Sequence, residues 1–402
     1  MAATRPTILQ IIPELDTGGA ELSTVEIAEA IVSAGGRALV LSEGGRLAGD
    51  LEKANGEFIP FSAATKNPVR IIANGYAIAR LIEREEVDLI HARSRAPAWS
   101  ALIAARRTGI PFVTTYHGAY GEKGRIKKLY NSVMARADLI IANSHYTAGL
   151  VASRYATPQS RLRVIHRGVE SARFDPAAVA PERIAVLRQA WDLGPDVPVI
   201  LQAARLTSWK GQEVLIEAAR QLRVAGKFGN AVVILAGDAQ GREAYRENLL
   251  NQIAAAGLVG RIRLVGHVAD MPAALATAHL AVVASTEPEA FGRTATEAQV
   301  MGCPVIATAI GAPPETVLGR PKVPEGEATG WLVPPGDAAA LAQAIAEALA
   351  LTPEARRAMG ARARAHVMAS FSLNAMKSLT LAVYDELLHT RLVETFTASS
   401  RS

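Results

Sequence analysis

Short runs of Ile, Val and Leu recur along this chain. They alternate with longer stretches in which apolar residues return every three to four positions. The short runs read as strands buried on both faces, and the longer stretches as helices that cover them. In the first half the strand candidates are Thr7–Pro13, Arg37–Ser42, Glu57–Phe61, Asp88–Ala92, Phe112–Tyr116, Asp138–Ala142 and Arg163–His166. In the second half they are Val199–Ala203, Ala231–Ala236, Arg263–Gly266, Leu280–Ala284, Val305–Ala307 and Trp331–Val333. Such alternation predicts parallel sheets, and two successive sets predict an α/β chain of two Rossmann-like parallel-sheet domains. The proline-bearing stretch Phe174–Pro181 marks the break, giving domains at 1–175 and 182–370. Helices are expected over Thr294–Met301, Asp337–Leu351, Pro353–Met368 and Leu373–Leu388, with a frayed Ser/Thr-rich tail from Thr395 to Ser402.

Composition narrows the function classes. Half of the 402 residues are hydrophobic and one fifth are charged, ample core for two or three α/β domains. The net charge of +5 lies wholly in residues 1–185, which carry 23 Lys and Arg against 18 Asp and Glu. That excess favours an anionic partner for the first half, such as a phosphorylated glycan or an anionic membrane surface. The basic residues Arg93, Arg95, Arg106, Arg107, Lys123, Arg125, Lys127 and Lys128 come without a stacking aromatic pattern, which argues against nucleic acid. Gly124 to Ala137 has Ile126, Leu129, Val133 and Met134 at helical spacing. It reads equally as a membrane-facing helix or as a domain helix with a solvated cationic end. Cys303 is the single cysteine, so no intrachain disulfide forms, and it reads as a small buried hydrophobe. No Cys/His cluster has metal-ligand spacing, no leader precedes the first strand and no 18-residue apolar run is present. A cytoplasmic protein is expected, with peripheral attachment to the inner face of the plasma membrane left open.

In open α/β sheets ligands bind beyond the carboxyl ends of the strands, so chemistry is sought in the loops that follow them. After Leu280–Ala284 come Glu289 and, eight residues on, Glu297, with Phe291, Gly292, Arg293 and Thr294 between. Gly292 opens the next helix, whose N-terminal N–H groups suit a phosphate while the two carboxylates suit hydroxyls. After Val199–Ala203 come Arg205 and Lys210, two cations placed to converge on a diphosphate. The first strand leads to Gly18-Gly19-Ala20-Glu21, a tight turn able to aim backbone N–H groups at phosphate; it lacks the GxGxxG of a dinucleotide site. His117-Gly118 closes Phe112–Tyr116, where the imidazole can hydrogen-bond a hydroxyl. Arg167-Gly168-Val169-Glu170 follows the last strand of the first half, and Arg167 either contacts phosphate or pairs with Glu170. His267 and Val268 follow Arg263–Gly266, and Asp238 reads as a helix N-cap.

These segments, in this order, resemble the group 1 glycosyltransferases, also called glycosyltransferase family 4, over about residues 7–388. Glu289 and Glu297 match the E-x7-E signature. Arg205 to Gly211 is similar to G-R-L-x-x-x-K-G with Ala204 for the first Gly, and Arg167 to Glu170 is similar to N-G-V-D with Arg for Asn. The resemblance implies a GT-B fold: two Rossmann-like domains facing a central cleft, with a C-terminal helix at 371–390 crossing back to the N-terminal, acceptor-binding domain. It implies a retaining, metal-independent transfer of a hexose from a nucleotide-diphosphate sugar, most simply UDP-linked, without a cofactor. The acceptor would be a glycan or lipid-linked glycan, as in lipopolysaccharide or cell-surface polysaccharide synthesis. By resemblance Arg205 and Lys210 neutralise the leaving diphosphate, and Gly18, Gly19 and Gly292 add backbone donors. Glu297 holds the ribose, Glu289 and His117 orient the sugar, and His267 and Val268 line the base. A UDP-sugar epimerase of the same fold lacks the E-x7-E arrangement. A non-catalytic nucleotide-sugar-binding protein would keep Arg205, Lys210 and Glu297 and tolerate loss of His117 or Glu289.

Overall fold

A computed structural model describes residues 5–16, 18–118, 120–121 and 124–399. Thr17 of the glycine turn, Lys123 of the basic stretch and the last three residues of the tail lie outside the described residues. The chain packs as two units, one comprising residues up to Gly168 together with Leu373–Ser402, the other Val169–Ser372. Phe174–Pro181, read above as the break, therefore belongs to the second unit.

The first unit holds strands β1 (Thr7–Ile11), β2 (Arg37–Ser42), β3 (Glu57–Pro60), β4 (Leu89–Ala92), β5 (Phe112–Tyr116), β6 (Leu139–Ala142) and β7 (Leu162–Val164). They form one sheet in the order β3-β2-β1-β4-β5-β6-β7 with every pairing parallel. The second unit holds β8 (Val199–Ala203), β9 (Val232–Ala236), β10 (Ile262–Gly266), β11 (Leu280–Val283), β12 (Val305–Thr308), β13 (Gly319–Arg320) and β14 (Gly330–Val333). Its order is β10-β9-β8-β11-β12-β14-β13, again parallel throughout. Both are Rossmann-like. The chain reverses direction of growth between β1 and β4 in one sheet and between β8 and β11 in the other, and such switch points open a crevice at the strands' carboxyl ends.

Burial explains why the apolar runs became strands. Every residue of β1, β9 and β11 is buried, as a parallel strand covered on both faces requires. Each fully buried Ile or Leu of these strands contributes about 1.5–3 kcal/mol relative to exposure. The helix Leu373–Leu388 packs into the first unit rather than the second. Its Tyr384 is fully buried with its hydroxyl 2.7 Å from His91 Nδ1, whose Nε2 is 2.7 Å from Thr115 Oγ1. Lys377 adds an ion pair to Glu29 at 2.8 Å.

Two expectations are corrected, and a third, the buried cysteine, stands. The tail continues as a helix over Leu392–Ser399 because Phe396 and Leu392 bury against the first unit's core. Gly124 to Ala137 is an α-helix only over Arg125–Asn131 and then tightens to a 3₁₀ turn, Ser132–Ala135. Its four apolar residues therefore do not share a face: Ile126 and Leu129 are exposed, Val133 and Met134 fully buried. Cys303 is buried, and that burial pushes its thiol up to about 12, in line with an inert core residue.

Candidate functional site

The second unit's site grows from the two strands that flank its switch point. From β8 the chain runs through Ala204 and Arg205 into a 3₁₀ turn, Ser208–Lys210, and then Gly211, the start of the helix Gln212–Val224. Gly211 sits at φ +71, and a Cβ there would lie 1.9 Å from the carbonyl oxygen of Ala284, the residue just past β11. Only glycine lets the two loops approach so closely. The contact is reinforced where Thr286 N donates to Trp209 O at 2.8 Å, and Gln202, buried in β8, donates to Lys210 O at 2.7 Å. Ala204, where the resembled motif has glycine, has no left-handed backbone, so its methyl group is accommodated.

That approach delivers Lys210 to Glu289. Lys210 Nζ donates to Glu289 Oε1, with side chains only 19% and 9% exposed. Ser285 Oγ donates to the same oxygen at 2.6 Å, and the Glu289 carbonyl accepts from Ala312 N at 2.9 Å. Glu289 is thus fixed at backbone and carboxylate from three loops. Gly292 caps the helix Arg293–Val300 in the left-handed region. On that helix Glu297 pairs with Arg293 at 3.4 Å, both mostly covered, and Thr294 Oγ1 donates to Ala203 O at 3.2 Å, which pins the helix to the end of β8. Arg205 is exposed, and among the described residues its guanidinium has no ion-pair partner. Lys210, Glu289, Arg205, Thr294 and Glu297 therefore come from the loops and helix of adjacent strands β8 and β11. The arrangement offers one free cation, one cation held by a carboxylate and a second carboxylate held by arginine, a set that an anionic, polyhydroxylated ligand would rearrange.

Not every predicted residue joins them. Phe291 is 2% exposed and meets Phe371 edge-on at 5.8 Å, so its side chain serves the core and only its backbone remains for a ligand. His267 and Val268 follow β10, two strands from β8; His267 is exposed, its Nδ1 4.0 Å from Asp238 Oδ2. Asp238 is not the N-cap expected of it, since Arg242 occupies that position before the helix Glu243–Ala255. Ser285 was missed, because a serine after a strand has no distinguishing pattern.

In the first unit His117 follows β5 and is held from behind. Arg167, 6% exposed, donates to His117 Nδ1, to the Gly19 carbonyl and, at 2.8 Å, to Ser23 Oγ. Burial first, then the nearby Arg167, Arg93 and His91, holds the imidazole well below the usual histidine range, so the ring is neutral. Its Nε2 is out of solvent with no protein partner among the described residues. Gly18 precedes the helix Gly19–Ser33 in ordinary extended backbone. A Cβ on it would lie 2.2 Å from Glu21 Oε2, so the first-turn carboxylate of that helix folds back against the glycine. Asn143 and Ser144 serve the next helix: Ser144 Oγ accepts from Thr147 N at 3.1 Å and Asn143 Oδ1 from Thr147 Oγ1 at 3.0 Å. The basic stretch also divides. Arg93 is buried and donates to Ser23 Oγ at 2.7 Å, Arg95 donates to Asn131 and lies over the Tyr120 ring, while Arg106, Arg107, Arg125, Lys127 and Lys128 are exposed.

A family model described as glycosyl transferases group 1 matches residues 184–366, and one described as glycosyltransferase family 4 matches residues 17–173. The D-inositol 3-phosphate glycosyltransferase of Salinispora tropica is 31% identical over 370 residues, covering 87% of this chain and 72% of the relative. A glycosyltransferase from Rickettsia africae superposes with a TM-score of 0.86 at 35% identity, covering 96% of this chain and 99% of the other. Anabaena HepE, solved in complex with UDP-glucose, superposes with a TM-score of 0.81 at 26% identity, covering 95% and 100%.

Proposed function

We infer what this chain does from what it is: it belongs to the group 1 glycosyltransferases, enzymes of the GT-B fold that transfer a sugar from a nucleotide-sugar donor. The donor is a nucleotide-diphosphate hexose, and Arg205 and Lys210 receive its diphosphate. The observation that carries this assignment is the meeting of Lys210 and Glu289 at the crevice between β8 and β11, in the loop that also carries the exposed Arg205. As the bond from sugar to phosphate breaks, negative charge grows on the departing nucleoside diphosphate. Fixed cations lower the barrier most where that charge appears, so metal is not required for this role. Glu297 takes the ribose hydroxyls, exchanging its bond to Arg293 for them. Glu289, released by Lys210 when phosphate arrives, takes hydroxyls of the transferred sugar, and His117 donates to a sugar or acceptor hydroxyl. Transfer proceeds with retention, the acceptor entering on the face from which the diphosphate leaves and passing its proton to the departing phosphate.

The donor nucleotide is assigned as UDP, supported by the UDP-glucose complex of HepE. A panel of UDP-, GDP- and ADP-hexoses, read by slow hydrolysis in the absence of acceptor, tests it. We expect cleavage of a UDP-hexose, and cleavage confined to GDP-sugars would overturn it. In the same assay Glu289→Ala and His117→Ala each lose tenfold or more in turnover; a binding protein would instead keep its donor affinity and show no turnover to lose.

The acceptor is assigned as a glycan or lipid-linked glycan of cell-surface polysaccharide or lipopolysaccharide synthesis, supported by the cationic first unit. The name of the Salinispora tropica relative favours, as a second reading, a small phosphorylated polyol. No helix among the described residues is long and apolar enough to cross a membrane. Exposed Ile126 and Leu129 adjoin Arg125, Lys127 and Lys128 on one short helix, which supports peripheral contact with anionic lipid. Sedimentation with phosphatidylglycerol vesicles at low salt should carry the protein down, less so after Ile126→Ser with Leu129→Ser. A protein that stays in the supernatant would leave only the soluble acceptor.

A further inference from the structure

The guanidinium of Arg167 decides which nitrogen of His117 carries the proton. Guanidinium groups only donate, and arginine keeps its charge at any pH a protein survives. With Arg167 Nη2 aimed at Nδ1, that nitrogen has to present its lone pair, and the single ring proton of the neutral imidazole goes to Nε2. The other arm of the same guanidinium is anchored to the Gly19 carbonyl and to Ser23 Oγ. Ser23 Oγ also accepts from Arg93 and spends its own proton on Ala20 O, so the network has one direction throughout. We propose that Arg167 is a positioning residue which locks His117 as an Nε2–H donor and so excludes it from acting as a base. The proposal rests on the sugar-transfer reading for what His117 meets, but not for the lock itself.

The surroundings support it from every side. Facing the ring are Arg167, Arg93 and His91, all of which oppose a second proton, and Glu26 balances Arg93. A cavity of about 20 Å³ adjoins, lined by Ser23, Asn143 and Thr380 as well as His117, Arg93 and Arg167, with no carboxylate among its lining residues. That is room for one water or one hydroxyl oxygen. An oxygen seated there accepts from Nε2–H, and a group that needed to give up a proton would find no lone pair on the ring. The sequence already marks the position as unusual, since the resembled motif has Asn where this chain has Arg167. An Asn amide either donates or accepts, and would leave the tautomer free.

The test is a long-range ¹H–¹⁵N spectrum of the ¹⁵N-labelled full chain, with His117 assigned by comparison with His117→Asn. In the wild type we expect Nε2 protonated and Nδ1 bare, unchanged from pH 5.5 to 8. In Arg167→Met the ring should protonate more readily, its midpoint rising while burial still holds it below the usual histidine range. Arg167→Lys, which keeps one donor, should restore part of the shift. Donor hydrolysis should follow: flat with respect to this group in the wild type, with a new acid limb and a several-fold lower kcat at unchanged KM in Arg167→Met. An Nδ1–H tautomer in the wild type, or a His117 signal indifferent to Arg167→Met, overturns the proposal; the wild-type tautomer decides alone should Arg167→Met fail to fold. An intact lock in an enzyme whose turnover ignores His117→Ala would instead overturn the role given to His117 in transfer.

Discussion

Lys210→Ala should lower kcat/KM for donor cleavage by about 10²–10³-fold, the usual cost of deleting one preorganised charge stabiliser from a transition state. It should also destabilise the second unit. Glu289 is 7% exposed, and without Lys210 its carboxylate keeps Ser285 as its hydrogen-bond donor but loses its cation. Breaking a buried pair by removing one partner costs about 3–5 kcal/mol, because the remaining charge stays desolvated. The two effects separate in the double variant Lys210→Met with Glu289→Gln, which removes both charges. Thermal melting should return most of the way to wild type in the double variant while turnover stays down. Recovery of both together would mean that Lys210 acts through folding and not on the leaving group.

Gly211→Ala should be strongly damaging to the second unit. Its φ of +71 costs a side chain about 1–2 kcal/mol. The new Cβ would sit 1.9 Å from the Ala284 carbonyl, a backbone atom that cannot rotate away. Overpacking of that kind costs about 1–3 kcal/mol more, and the strain falls on the two loops that bring Lys210 to Glu289. Gly226 supplies the control, with φ +67 and nothing within 4 Å of an added Cβ. Gly226→Ala should therefore show only the conformational cost and keep full turnover. Gly211→Ala should lower the melting temperature clearly further and reduce turnover by about tenfold or more. Equal melting shifts for the two would show that the close approach of the loops is not what the glycine serves.

The fold was legible because a parallel strand buried on both faces leaves a continuous apolar run. β2, β5 and β8 were bounded from that signal to the residue. β13 was not, since Gly319 and Arg320 carry no such run and are strand only because β14 lies beside them. The tail misled because Ser and Thr dominate it, while the buried anchors are Phe396 and, just before the stretch, Leu392. At the candidate site, the placement of Arg205, Lys210, Glu289 and Glu297 just after strands was legible. What the sequence hid is pairing at a distance: Lys210 and Glu289 are 79 residues apart, and Arg167 is 50 from His117. The inward turn of the Phe291 ring was hidden for a related reason. Neighbours of a ligand loop alternate between ligand and core, and only packing against Phe371 shows which way this ring went.

The proposed chemistry requires a nucleotide-diphosphate sugar to sit at the loops after β8 and β11. The most direct measurement is a crystal structure of the full chain soaked with a UDP-hexose. The diphosphate should lie within hydrogen-bond distance of Arg205 and Lys210, with the Lys210–Glu289 contact exchanged for ligand oxygens and the ribose on Glu297. A diphosphate bound elsewhere, with Lys210 still on Glu289, would contradict it.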